Sequence, residues 1–263
     1  MDSQQEIDSG ELLKTAIEAA RAGGAILQDW VGRFSVKEKR RADLVTEADH
    51  ASQDAIFQLI SSRYPHHGFL GEEGLNQQSE SSDYRWVIDP LDGTSNYVHG
   101  FPYYAVSIAV QKGDKLVAGV IFDPNRDEVF SATADGAAHV NGHEISTSGE
   151  TEPARAMAMA SLPVGAGRDD PAVERFLTSM SHLQTVQRSG SAALNLAYVA
   201  CGRIDAFWST SLKPWDVAAG VLIVQQAGGA ICAIDGGSID IMEPSLLSAS
   251  SRTIVDNLIS VFN

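Results

Sequence analysis

The chain has little that could staple it, anchor it in lipid or bind it to a polyanion. Two cysteines, Cys201 and Cys232, are all that 263 residues contain, so a small disulfide-framed secreted fold is excluded. No stretch approaches the ~20 consecutive apolar residues that a membrane span requires. The opening segment, MDSQQEIDSGELLK, is acidic and polar and lacks the basic and apolar regions of a signal peptide. A reducing cytoplasm is the expected compartment, with no membrane partner. Basic residues are also scarce: 19 Lys plus Arg stand against 34 Asp plus Glu, a net charge of -15. That balance disfavours nucleic acid as a partner, whereas acids gathered in one place could hold cations. Fixed-period repeats, low-complexity runs and long blocks of like charge are missing too.

What is present reads as an ordinary soluble globular chain, 44% hydrophobic and 20% charged, long enough to bury a sizeable core as one large domain or two closely packed ones. Ile7, Leu12, Leu13, Ala16, Ile17, Ala20, Ile26 and Leu27 recur at helical spacing up to Trp30, with Gly23-Gly24 marking a close approach by another element. Thr46-Glu-Ala-Asp49 has the form of a capping box, opening a second helix that ends before Pro65. Short runs rich in β-branched and aromatic residues follow, and Lys112-Gly113-Asp114 and Asn141-Gly142 sit where hairpin turns belong, so this part is expected to be antiparallel. Beyond the polar stretch near 147–153 strands and helices alternate, which implies a mixed or parallel sheet covered on both faces. The change of texture divides the chain into an N-terminal half, 1–148, and a C-terminal half, 149–263, sharing an interface.

The segment Trp-Val-Ile-Asp-Pro-Leu-Asp-Gly-Thr at 86–94 ends an apolar strand in two acids. Asp89, the carbonyl of Leu91 and Asp92 could all turn toward one cation because Pro90 restricts the turn, and oxygen-only ligands suit Mg²⁺. Gly93-Thr94-Ser95-Asn96 resembles a helix start, where free amides and the helix dipole attract an anion such as phosphate. Taken alone, D-x-x-D-G more often makes an Asx-type turn. Three further acidic features strengthen the site reading: Glu72 and Glu73 after the short strand GFLG, Asp49 at a helix start, and Asp216 in the first turn of PWDVAAG. Each has a structural alternative, as a solvated loop, a capping-box partner and a helix cap respectively. Apolar flanks nevertheless deliver an acid to an element end four times over. Cys201 and Cys232 lie in apolar segments and read as core residues. His139 and His143 fall on a hairpin signal, not on the helix a zinc H-x-x-x-H pair needs. His66, His67 and His99 need only packing or solvent-facing roles.

The segments GEEG, WVIDPLDGTSNYVHGFPYYAVSIAV and PWDVAAGVLIVQQAGG, with DLVTEAD upstream, resemble the signature segments of the inositol monophosphatase family, in the same order and over nearly the whole chain. The resemblance implies an α+β fold, a five-layered α/β/α/β/α sandwich. Its N-terminal antiparallel sheet would carry two helices and its C-terminal mixed sheet would be flanked by helices, usually in a homodimer. It implies a phosphoric monoester hydrolase that depends on Mg²⁺, two or three ions, and is inhibited by lithium. Glu72, Asp89 and the Leu91 carbonyl would hold one ion, Asp89, Asp92 and Asp216 a second, and a third would involve Glu72 near Asp49. Thr94 and Asp49 would orient and deprotonate the attacking water, with Glu72 also counted as catalytic. The Gly93 and Thr94 amides would grip phosphate, and Gly190, Ser191 and Ala192 would line the substrate pocket, to which Glu72, Leu91, Asp92, Ser209 and Asp216 also contribute.

One position departs from that pattern. Inositol phosphatases usually carry a Glu seven residues before the metal-binding Asp, and here that position is Ser209. Losing a carboxylate that accepts sugar hydroxyls forfeits charge-assisted hydrogen bonds worth about 1.5–3 kcal/mol. Inositol 1-phosphate is the default expected substrate. Histidinol phosphate, fructose 1,6-bisphosphate or a nucleotide 3'-phosphate are alternatives within the family, and a regulatory binding module with vestigial activity is the alternative outside it. Lys213 could meet a second anionic group, or simply be solvated.

Overall fold

In the computed structural model, residues 7–40, 43–79 and 81–262 are described. Asp8 caps the first helix, α1 (Ser9–Trp30), accepting the amides of Gly10 and Glu11, and Leu12, Ala16, Ala19, Ala20, Gly23 and Leu27 are buried along it. A Cβ at Gly23 would lie 2.7 Å from Ile56 Cδ1 and 2.8 Å from Ser52 Oγ, so the glycine is what allows the second helix to approach. Between the two helices lies a hairpin that the sequence pattern did not mark, β1 (Val36–Arg40) with β2 (Asp43–Thr46). Its strands carry charges where apolar alternation would have announced them. Helix α2 (Glu47–Arg63) starts with the expected capping box, Thr46 as N-cap and Asp49 as its N3 partner.

An eight-stranded sheet follows: β3 (Gly68–Gly71), β4 (Asn76–Gln77), β5 (Tyr84–Asp92), β6 (Ala105–Lys112), β7 (Lys115–Asp123), β8 (Glu128–Thr133), β9 (His139–Val140) and β10 (His143–Glu144), in the order β10-β9-β8-β7-β6-β5-β3-β4. The short helix α3 (Thr94–Val98) interrupts the chain between β5 and β6. The pairing is antiparallel, as expected, except that β3 runs parallel to β5. The connection between those two strands passes through β4, so it crosses over instead of turning tightly.

The second half builds β11 (Met157–Ala160), α4 (Pro171–Ser179), β12 (Thr185–Gln187), α5 (Ala192–Ala200), β13 (Ala206–Ser209), α6 (Pro214–Gln226), β14 (Ala230–Ala233), β15 (Leu246–Ala249) and α7 (Arg252–Phe262). Its sheet has the order β12-β11-β13-β15-β14, with β11 parallel to both neighbours and the other pairs antiparallel. The sheet is therefore mixed, as the alternation of elements implies.

Three apolar cores stack the layers. Leu12 and Ile56 of the first two helices pack on Trp86, Ile88 and Ile108. Val87 and Phe130, on the opposite face of the first sheet, meet Leu196 of α5, Val221 of α6 and Phe207 of the second sheet. Trp208, next to Phe207, turns outward with Leu247 against Ile254 and Leu258 of α7. The period of two along each strand thus serves a different core on each side, giving helix, sheet, helix, sheet, helix. Helix α6 lies close enough to the first sheet that a Cβ on Gly119 would stand 3.0 Å from the Ala219 carbonyl oxygen. Among the described residues, no helix is long and apolar enough to cross a membrane.

Candidate active site

Strand β5 is buried along nearly its whole length, and its end is irregular. Asp89 pairs with Ser107 and Asp92 with Ala105, so three steps on β5 match two on β6. In a regular strand, residues three apart face opposite sides of the sheet; one extra residue cancels that half-turn and lets both carboxylates converge. Pro90, which has no amide to give the ladder, sits inside the bulge, and its carbonyl accepts the hydroxyl of Ser52 from α2 at 3.0 Å. The Asp89 carboxylate accepts the Leu91 amide at 3.0 Å. Gly93 then adopts φ +97°, which lets the chain turn at once into α3.

Three other helices bring their N-termini to this point. Asp216 is the third residue of α6 and accepts the Lys213 amide at 2.8 Å. Asp49, at the third position of α2, accepts the amide and hydroxyl of Thr46 at 2.9 and 2.6 Å with one oxygen, while its other oxygen accepts the Thr94 hydroxyl at 3.2 Å. That hydroxyl also lies 3.1 Å from the Leu91 carbonyl. Asp92 meets the start of α5, accepting the Ser191 hydroxyl and the amides of Ala192 and Ala193 at 3.3 and 2.8 Å. Capping and site-building are therefore not rival roles for these acids.

Ligand oxygens of Asp89, Asp92 and Asp216 all lie within 4.8 Å of one another. Burial, then the charges of Glu72, Asp92 and Asp216, holds the Asp89 carboxyl well above the usual carboxylate range. Burial pushes Asp92 up to about 6 against its hydrogen bonds from Ser191, Ala193 and Ala192. Burial and then the Asp92 charge push Asp216 up to about 7, opposed by the Lys213 amide and a hydrogen bond with Asp89. Burial also raises Asp49, against the hydrogen bonds from Thr46. Carboxylates this close, two of them buried and Asp216 partly so, repel one another unless a cation or protons lie between them. The donor set is all oxygen, so it fits a hard divalent ion and not a thiophilic one.

Glu72, Gly93, Thr94 and Gly190 line one open pocket of about 180 Å³ together with Leu44, Ser95 and Val164. Ser191 and Ala192 do not line it but donate to Asp92, and Leu91, also outside its lining, is buried. Ser209 is at the end of β13, 1% exposed, and its hydroxyl accepts the Ser211 amide at 3.4 Å; it is not among the residues lining that pocket. Lys213 is exposed. The rejected zinc pair lies on the paired strands β9 and β10. His67 does pack, accepting the indole N–H of Trp86 at 3.0 Å, and its burial lowers its pKa to about 4. Cys232 is buried in β14, whereas Cys201 is half-buried just past the end of α5, and both are free thiols.

Several contributors escaped sequence reading. Gln53 holds both main-chain groups of Glu73, accepting its amide and donating to its carbonyl, each at 3.2 Å. Asp49, Ser52, Gln53 and Ile56 are all buried on α2, a polar stripe on the face where an amphipathic helix should be apolar. That stripe is legible in the sequence as an anomaly. Asn96 and Asn195 carried no such signal.

The family model described as the inositol monophosphatase family matches residues 8–263. An inositol-1-monophosphatase of Mesorhizobium japonicum is 38% identical over 247 residues, 92% of each chain. A protein of Pseudomonas aeruginosa named Nus factor SuhB is 39% identical over 233 residues, 86% of each chain. Among solved structures, the extragenic suppressor protein suhB of Bartonella henselae superposes with a TM-score of 0.91 at 35% identity, covering 96% of this chain and 98% of that one. A whole-length family match, two curated relatives of this similarity and an acid-lined site at the strand end agree, and the chain belongs to the inositol monophosphatase family, phosphoric monoester hydrolases acting on small phosphomonoesters.

Proposed function

We propose that the chain hydrolyses inositol 1-phosphate, or a closely similar cyclic polyol monophosphate, in the presence of Mg²⁺. The observation that carries this reading is the convergence of Asp89, Asp92 and Asp216 within 4.8 Å beside a helix start at Gly93 and Thr94. Asp89, Asp92, Asp216, Glu72 and the Leu91 carbonyl would hold two Mg²⁺, with a third ion near Glu72 and Asp49. Bound there, Mg²⁺ would supply Lewis-acid stabilisation of the charge that develops on phosphoryl, entering and leaving oxygens. The first-turn amides of α3 have no acceptor within their own helix and would hold the phosphate oxygens. Asp49, whose burial makes it a stronger base than an ordinary carboxylate, would draw the Thr94 proton, leaving the Thr94 oxygen to accept a proton from the attacking water. The water oxygen bonds to phosphorus, the ester P–O bond breaks, and the departing alkoxide takes up a proton to leave as the alcohol.

The same reading includes lithium inhibition, a homodimer, a cytoplasmic location that suits the two free thiols, and a division at 148/149 in which the second half completes the site through Gly190, Ser191, Ala192 and Asp216. Ser209 would offer a sugar hydroxyl far less than a carboxylate does, so affinity for inositol would rest on Asp92 and the 190–192 wall. A phosphate-release panel tests the function: inositol 1-phosphate, histidinol phosphate, fructose 1,6-bisphosphate and a nucleotide 3'-phosphate, each with Mg²⁺ and with chelator. Fastest Mg²⁺-dependent release from inositol 1-phosphate is expected. Release from histidinol phosphate with none from inositol phosphate would sink the substrate assignment, and release from none would sink the enzymatic one.

A further inference from the structure

Two asparagines that the catalytic scheme leaves unused bridge the same pair of residues. The Asn96 amide, on α3, donates to the main-chain carbonyls of Tyr103 at 2.7 Å and Ser189 at 2.8 Å. The Asn195 carbonyl oxygen, on α5, accepts the side-chain hydroxyls of those same two residues, Tyr103 at 3.0 Å and Ser189 at 2.7 Å. Tyr103 and Ser189 are thus each held twice, once by the backbone and once by the side chain. They belong to segments 86 residues apart in sequence, one leading into β6 and the other into α5.

The clamp stands between two walls of the pocket. Ser95, the residue before Asn96, lines it on one side, and Gly190, the residue after Ser189, lines it on the other. Gly190 has φ +91°, and a Cβ there would lie 2.9 Å from the Asn96 amide nitrogen, so the Asn96 side chain fills the gap between the walls and touches both. Asn195 is fully buried and Tyr103 is nearly so, which shields these hydrogen bonds from competing water. Beyond Gly190 the chain enters the first turn of α5, whose Ala193 amide is held by Asp92 and whose Leu194 amide is held by the Ser191 hydroxyl.

We propose that Asn96 and Asn195 act together as a clamp that sets the width of the cleft, holding the 189–191 wall at a fixed distance from the phosphate-binding start of α3. They are positioning residues for the carbon skeleton of the substrate. The inference rests on the reading of this pocket as the phosphomonoester site. A substrate that reaches only the α3 side should not sense the clamp, whereas one with a ring spanning to Gly190 should.

Amide hydrogen exchange on the intact, Mg²⁺-loaded chain without substrate tests the clamp independently of turnover. Asn96→Ala should speed exchange at Ala193, Leu194 and Asn195 by about tenfold or more, leaving α7 unchanged. Ser189→Ala and Tyr103→Phe, which remove one hydroxyl each, should give a smaller change in the same segment and guard against a misfolded Asn96 variant. In kinetics Asn96→Ala should raise KM for inositol 1-phosphate about tenfold, and the two hydroxyl deletions by a smaller factor, while kcat stays within about threefold and KM for ethyl phosphate does not move. Exchange that is unchanged or rises evenly over the whole chain overturns the clamp, as do equal KM shifts on both phosphates. Failure of the unmodified chain to hydrolyse either phosphate refutes the proposed function, and the exchange measurement still decides the clamp.

Discussion

Stripping divalent ions should make this chain less stable as pH rises from 5 to 8. The perturbation acts on Asp92 and Asp216, whose carboxyls are pushed from 3.8 up to about 6 and about 7, first of all by burial. A carboxyl raised in the folded state contributes stability that is full below its unfolded value and is lost as pH climbs through the folded one. At about 1.4 kcal/mol per pH unit, Asp92 removes on the order of 1 kcal/mol above pH 5 and Asp216 on the order of 3 kcal/mol. Asp89, held well above the usual carboxylate range by burial and by Glu72, Asp92 and Asp216, and Asp49, raised by burial, act in the same direction. His67 works the other way: buried, with its pKa lowered to about 4, it returns at most about 2 kcal/mol by pH 6.5. Glu47, Glu128, Asp135 and Glu150 are lowered by their hydrogen bonds, so their titration is complete before this range. The net loss is on the order of 2–4 kcal/mol, about 5–15 °C in Tm for a chain of this size. Calorimetry in chelator across pH 5 to 8 reads it, and Asp216→Asn should flatten the profile. Mg²⁺ added at pH 6 should release about one to two protons, measured in buffers of different ionisation enthalpy. A Tm that is level or rising above pH 6.5 in chelator, or ion binding at pH 6 without proton release, would refute the charge-cluster reasoning.

Asp92→Asn keeps one carbonyl acceptor for the start of α5 but removes a carboxylate charge from the cluster, so on the proposed function Mg²⁺-dependent phosphate release should fall by at least about 10³-fold while circular dichroism is unchanged; near-native turnover would remove Asp92 from the site. Gly119→Ala places a methyl 3.0 Å from the Ala219 carbonyl oxygen, which should push α6 off the sheet, cost about 1–3 kcal/mol and lower Tm. An unshifted Tm would show that the contact is not tight.

How much of this was legible depended on whether one stretch of chain carried the whole signal. The capping box at Thr46, the strand ending at Asp92 and the helix opening at Pro214 are each written in consecutive residues, and each formed where the pattern put it. The β1–β2 hairpin was not legible because Lys37 and Glu38 break the alternation. The parallel pairing of β3 with β5 was not legible because period two says which face is apolar and nothing about direction. In the site, the acids were readable singly because apolar flanks announce an acid at an element end. Their convergence was not, since it depends on a bulge at Pro90 that only the pairing register with β6 reveals. Asn96 and Asn195 were silent for a related reason: an asparagine's worth lies in its partners, here Tyr103 and Ser189, and the sequence brings neither near.

The way the acids are held bears on whether the fold needs a cation. Asp49 and Asp216 each accept the N-cap amide of their own helix, and Asp92 accepts the first amides of α5. Three helix N-termini, each with the positive end of a macrodipole, therefore point at a cluster of carboxylates that would otherwise face only one another. Such an interaction offsets about 0.5–2 kcal/mol per acid in a partly buried setting, comparable with the cost of ionising Asp92. Protonation of Asp89 and Asp216 can absorb the remainder below pH 7, because burial and neighbouring charge have already raised both. The cluster thus has two ways to exist without a divalent ion, fixed dipoles and borrowed protons, and both leave the carboxylates in place. On the proposed function, an ion entering the site would displace protons and would not have to assemble ligands. The same economy explains why a capping reading and a metal reading of Asp49 and Asp216 looked like competitors in the sequence: a carboxylate has two oxygens, and in Asp49 one serves the helix while the other faces Thr94.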